Sequence, residues 1–183
     1  MEWRWLSWAT RDESFGALPH PGLVQRLALA PDGTRFATAC TDGLVRIWDG
    51  QTFEKVMEIR TEARALEYSR DGGLLATVTA EGTVLRRTDT WDVRRVIPGL
   101  GGPVVFAADG LHLFGVEGGR WVRWDLEGRE RTVPASPIEG AVPEVAAAVG
   151  KDRIAVAARG QGSLISVLSA ATGEGRLVLG DGY

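Results

Sequence analysis

An Asp-Gly pair recurs along this chain at Asp32-Gly33, Asp71-Gly72 and Asp109-Gly110, at spacings of about 39 and 38 residues. A repeat of that length restricts the fold to an array of like units, because each unit is too small to bury its apolar face alone. The segment from Val24 to Asp49 is followed by a second copy from Ala63 to Thr88, and a weaker fourth copy runs from Val145 to Leu168, with Lys151-Asp152-Arg153 at the turn. Within a copy, a short apolar run ends at the Asp-Gly turn. A second run, rich in Ala, Thr and Val, ends at another turn, as at Asp42-Gly43 and Glu81-Gly82. Each copy therefore reads as a small antiparallel meander. Leu27 to Ala30, Phe36 to Cys40 and Leu44 to Trp48 are almost continuously apolar, which predicts strands covered on both faces. Helix competes only over Ala141 to Ala158, where alanines are dense, and Gly150 stands against it.

The first copy carries a more specific pattern. His20, Val24, Leu27, Leu29, Pro31-Asp32-Gly33, Asp42-Gly43 and Trp48-Asp49 fall at the spacing of the WD-repeat, which this segment resembles. The second copy keeps the turns but has Arg87-Thr88 where Trp-Asp is due. The third recovers Trp124-Asp125 one residue early, and the fourth has Leu168-Ser169. The resemblance implies an all-β fold: β-propeller blades of four-stranded antiparallel sheets, about four of them plus a partial N-terminal blade. It also implies a buried hydrogen-bonded network of His20, Thr38, Asp42 and Trp48, in which polar groups inside a blade satisfy one another. Only the first copy has all four residues, so the others are expected to rely on apolar packing. Pro19 replaces the glycine that usually precedes the histidine.

Carried along the chain, the repeat divides a single domain into a partial blade over 1–18 and blades over 19–58, 59–97, 98–135 and 136–183. Trp3 to Trp8 reads as the third strand of the partial blade, and Arg176 to Leu179 as an outermost strand. Propellers close with about 4 to 8 blades, and 183 residues supply little more than four, so the expectation is an incomplete propeller with open blade faces: a fragment of a larger propeller first, then a four-bladed ring closed through the N-terminal strand, or an array that assembles with another chain.

Composition narrows the chemistry. A net charge of -3 and a pI near 5.5 give no basic footprint for nucleic acid. The one cysteine, Cys40, and two histidines, His20 and His112, exclude a disulfide framework and make a multi-histidine or cysteine-rich metal site an unsupported reading. The first residues lack the apolar run of a secretory signal, and no stretch is apolar enough to span a membrane, so a cytoplasmic protein is expected. Lysine occurs only at Lys55 and Lys151 among 21 basic residues, a skew that points to a GC-rich bacterial coding sequence.

Nucleotide-binding glycine loops and hydrolase nucleophile motifs are absent, and the glycine clusters read as turns. No cofactor is expected. The reading that follows is a non-catalytic scaffold for protein partners. Its contacts are expected from the loop residues Pro21, Gly22, Leu23, Cys40 and Thr41, and from Arg86, Arg87, Arg94 and Arg95 on one hairpin. Those arginines read first as protection of a strand edge and only second as a contact for an acidic partner surface. His112 reads as structural or surface, without a partner. Self-association through the open faces belongs to the same reading. The alternatives are an enzyme with a metal-assisted hydrolase or redox site in the central channel, and a truncated gene remnant.

Overall fold

The computed structural model describes residues 17–127 together with strands at 131–132, 142–149, 153–159, 163–169 and 175–180. Residues 1–16 of the expected partial blade, with Trp3, Trp5 and Trp8, lie outside the described residues, as does the turn at Lys151-Asp152. Sixteen strands form four antiparallel sheets, each a meander in chain order. The first holds β1 (Val24–Leu29), β2 (Arg35–Cys40), β3 (Leu44–Asp49) and β4 (Lys55–Arg60). The second holds β5 (Ala65–Tyr68), β6 (Leu74–Val78), β7 (Gly82–Arg87) and β8 (Val93–Pro98). The third comprises β9 (Gly101–Phe106), β10 (His112–Glu117), β11 (Arg120–Asp125) and β12 (Arg131–Thr132). The fourth comprises β13 (Val142–Val149), β14 (Arg153–Arg159), β15 (Ser163–Ser169) and β16 (Gly175–Gly180). The alanine-dense segment is thus a strand pair, with Ala146 opposite Val156 and Ala148 opposite Ile154, rather than a helix.

The Asp-Gly turns are superimposable in their hydrogen bonding. Gly33 donates to the Ala30 carbonyl at 2.9 Å, Gly72 to Ser69 at 2.8 Å and Gly110 to Ala107 at 3.1 Å. Each glycine has φ near +70°, which explains why the repeat keeps Gly there. The aspartate locks the turn from the side: Oδ1 of Asp32, Asp71 and Asp109 accepts from the N–H of Thr34, Gly73 and Leu111. His112 Nδ1 joins the third of these turns, 2.7 Å from Asp109 Oδ2, so it has a partner that sequence spacing did not show.

The first strands β1, β5, β9 and β13 pack on one another in sequence, and the sheets fan out from them. Three apolar layers fill the spaces between sheets. In the first, Ala28, Ala37, Ala39, Val45 and Ile47 of one sheet meet Leu66, Tyr68 and Leu75 of the next. In the second, Leu74, Ala76, Val78 and Leu85 meet Val104, Phe106, Leu113 and Val122. In the third, Val105, Phe114 and Trp121 meet Ile154, Val156 and Ala158. One expectation fails at β1: Leu27 and Leu29 are exposed, because among the described residues no sheet packs on the outer face of the first one.

The copies differ inside the hairpins. Phe36 pairs with Trp48, Leu75 with Arg86 and Leu113 with Trp124, so Arg86, not Arg87, stands at the ladder position of Trp48. The second hairpin shortens by one residue, as the third does. Position 38 of the first ladder corresponds to Gly115 in the third, where Leu100 fills the space: a Cβ on Gly115 would lie 2.8 Å from Leu100 Cδ1. Gly115→Ala is expected to cost about 1–2 kcal/mol through overpacking. Its denaturant midpoint checks this, and an unchanged midpoint would show that Leu100 yields freely.

Candidate functional site

Two features converge on the first sheet. The first is a chain of polar groups between the segment entering β1 and the strands β2 and β3. Trp48 Nε1 donates to Thr38 Oγ1 at 2.9 Å, and His20 Nε2 lies 2.9 Å from the same oxygen. His20 Nδ1 sits 3.0 Å from the Leu18 carbonyl, which can only accept. Nδ1 therefore carries the imidazole proton, Nε2 accepts from the Thr38 hydroxyl, and each group donates once. The His20 and Trp48 ring centroids are 5.3 Å apart in a tilted arrangement, and Phe36 stacks on the indole at 6.3 Å. Trp48 and Thr38 are buried.

Asp42 stands apart from this chain. Its Oδ2 takes the Arg46 guanidinium at 2.6 Å and its Oδ1 takes the Leu44 N–H, bonds that hold its carboxyl down at about 2. The physical reason is proximity. Arg46 is buried beside the turn and is held between Asp42 and Glu58, leaving the aspartate no reason to reach the imidazole.

The second feature is the loop end above this network. Leu23 N–H bonds to Thr41 Oγ1 at 3.0 Å, Thr41 N–H bonds to the Leu23 carbonyl at 2.9 Å, and Thr61 N–H reaches Gly43. Gly22 lies directly on Thr41 and Cys40; a side chain there would strike Thr41 Oγ1. These bonds bind the entry loop to the β2–β3 turn as one piece. Pro21, Leu23 and Thr41 are exposed on it, whereas Cys40 is buried and offers no side chain to a partner. Beside it a polar groove of about 290 Å³ runs between the first two sheets, lined by Thr61, Glu62, Arg64, Thr79 and Glu81. Arg26 Nε closes its near side by donating to the Arg64 carbonyl at 2.7 Å. This groove had no sequence signal, since its residues come from two separate loops of the second unit, the β4–β5 connection and the β6–β7 turn.

The four arginines do not form one patch. Arg87 is exposed and paired with Asp89 at 2.6 Å, and Arg94 reaches Glu127 at 3.7 Å. Arg86 and Arg95 turn inward. Arg95 donates to the Asp125 and Leu126 carbonyls and lies over the Trp124 ring, while Arg86 approaches the Trp91 carbonyl. The register sets Arg95 opposite Leu85 and Arg86 opposite Val93, with a bulge between them, so these two arginines lie on opposite faces of the sheet. Among the described residues, no group of three His, Cys, Asp or Glu side chains is placed to hold a metal ion, and no helix is long and apolar enough to cross a membrane.

Residues 15–49, which contain the His20–Thr38–Trp48 chain and the first Asp-Gly turn, match the WD domain, G-beta repeat family. Over that segment the chain is similar to a WD repeat. Over 57 residues it is 44% identical to WD repeat-containing protein 1 of Mus musculus, a match that takes in 31% of this chain and 9% of that protein. Among solved structures, U3-55K superimposes with a TM-score of 0.74 at 13% identity, covering 90% of this chain and 54% of the other. The RRP9 WD40 repeats give 0.75 at 13%, covering 89% and 53%. The β-propeller domain of Cps50 (Swd1) from Myceliophteria thermophila gives 0.69 at 17%, covering 87% and 58%. At such identities the likeness is one of fold. The chain therefore carries propeller blades, with four sheets among its described residues, and it spans just over half of each of those structures.

Proposed function

We propose that this chain is a non-catalytic WD-repeat scaffold that holds protein partners on the loop end of its sheets, in the cytoplasm, with repeat units over 19–58, 59–97, 98–135 and 136–183. The observation that carries it is the pinned surface of Pro21, Leu23 and Thr41 beside the Glu62–Arg64–Glu81 groove. It is exposed, yet its backbone is fixed by reciprocal bonds, which lowers the ordering cost of binding. The His20–Thr38–Trp48 chain lies beneath it and serves as its foundation; every donor in that chain is already committed, as suits a structural rather than a catalytic histidine. Arg87 and Arg94 form a second, weaker contact region at the sheet edge. The open sheet faces add a capacity for self-association.

Cross-linking of a captured partner, read by mass spectrometry, is expected to place the links at residues 21–23, 41 and 62–64. The double variant Leu23→Asp, Glu62→Arg should reduce capture by about tenfold or more. Undiminished capture by that folded variant would move the recognition surface elsewhere.

A further inference from the structure

Sheet-on-sheet packing in this chain follows one rule, and its two ends obey that rule without being satisfied. Leu66 and Tyr68 of β5, with Leu75 of β6, project into the layer against the first sheet and are buried, Leu66 and Tyr68 at 8% and 6% exposure. At the same places in the first copy stand Leu27, Leu29 and Phe36, and there Leu27 and Leu29 are 59% and 67% exposed. The third copy has Val104, Phe106 and Leu113 at these places, all buried against the second sheet. Among the described residues, the outer face of the first sheet is thus an apolar plug without its layer.

The receiving surface for such a plug is defined by the first layer. Leu66, Tyr68 and Leu75 seat on a shallow surface where Ala37 lies opposite Ile47 and Ala39 opposite Val45 across the β2–β3 ladder. Small alanines on one strand, flanked by β-branched residues on the next, leave the depth that large side chains fill. The outer face of the fourth sheet repeats this arrangement: Ala155 lies opposite Val167 and Ala157 opposite Ile165 across β14–β15. The other face of β14, with Ile154, Val156 and Ala158, is already buried against the third sheet. Ile165 is 41% exposed, and Ala155, Ala157 and Val167 are partly so. One end of the array carries the plug and the other carries the socket, in the pairing pattern that joins the first two sheets.

We propose that two copies of this chain join head to tail. The Leu27–Leu29–Phe36 face of each seats on the Ala155–Ala157–Ile165–Val167 face of the other and closes one ring of eight sheets. The contact is heterologous, plug to socket, and two such contacts satisfy both open ends of both copies. A ring of eight lies within the range of about 4 to 8 blades that propellers adopt. The proposal rests on the scaffold reading only in treating the open faces as docking surfaces.

Sedimentation equilibrium of the full chain is expected to return twice 19.7 kDa, without growth at higher concentration. Leu27→Asp and Ile165→Asp, both at exposed positions, should each weaken self-association by about 30-fold or more while leaving the thermal melt of the monomer intact. Mixing the two variants in equal amounts should restore a dimer. The intact plug of one fits the intact socket of the other, an outcome unique to a heterologous contact. A wild-type monomer, an open-ended series of sizes, or variants that do not complement would overturn the ring. So would a dimer sensitive to Leu27→Asp but indifferent to Ile165→Asp, which would be plug against plug. A chain that turns from monomer to aggregate when residues 1–18 are removed would show that its own N-terminal segment covers the plug, which also overturns the ring. A monomer that still captures a partner through residues 21–23 and 62–64 would sink the ring and leave the scaffold reading standing.

Discussion

Trp48→Ala is expected to lower the unfolding free energy by about 3–5 kcal/mol, the largest single effect in the chain. The indole is buried, it stacks on Phe36 and contacts the tilted His20 ring, and its N–H is the first donor in the run to Thr38 and His20. Removing it opens a cavity and deprives the threonine hydroxyl of its donor. The third sheet supplies an internal control. Trp124 occupies the same ladder position, but Gly115 stands where Thr38 would be, and the Trp124 Nε1 is buried without a hydrogen-bond partner. Trp48→Phe should therefore cost about 1–2 kcal/mol for the lost hydrogen bond, whereas Trp124→Phe should be neutral or slightly stabilising. Denaturant midpoints of these variants decide the matter. Equal losses for the two Phe variants would remove the claim that the polar chain of the first sheet contributes stability.

Raising the pH from about 5 to about 8.5 should cost the wild-type chain about 2–3 kcal/mol more than Glu67→Gln, the second large effect. Glu67 lies on β5, opposite Ala76, on the strand face turned from Leu66 and Tyr68. Its counterparts in the first and third copies are Ala28 and Val105, both buried apolar residues. Burial alone pushes its carboxyl up from 4.5 to about 7. The folded state then holds the proton more tightly than the unfolded chain does. The stabilising contribution of that proton is complete below 4.5 and is lost as pH rises through about 7, where the folded chain must either bury a charge or give up packing. The figure is smaller than the full shift implies because the side chain keeps some contact with water. Melting curves of both proteins across the interval test the claim. Parallel curves would show that Glu67 reaches solvent in its ionised form.

The repeat was legible because its turns are local chemistry. An Asp-Gly pair closes the same bonds in each copy, with φ near +70° at the glycine and the carboxylate accepting from the backbone two residues on. Strand identity followed from the apolar runs between those turns. The His20–Thr38–Trp48 chain was also within reach, since its members sit at fixed distances from the same turns in the first copy. Asp42 was misjudged for a reason no spacing reveals: Arg46, four residues on, is buried at hydrogen-bonding distance and captures it. The ladder position of Arg86 depends on a hairpin one residue shorter than the first, which strand pairing fixes and residue counting does not.

What only the tertiary structure decided is which apolar side chains have a neighbour. Leu27, Leu66 and Val104 are equivalent in the repeat and indistinguishable in hydrophobicity, yet two are buried and one is open, because burial of a sheet face depends on the sheet beside it. The same holds for Ala39 and Ala157, set in matching ladders but only one of them covered. Sequence determined the blade, its turns and its internal polar chain, all of which arise from residues close along the chain. Whether a face is core or docking surface is settled by contacts between blades, and those are set by how the sheets stack on one another.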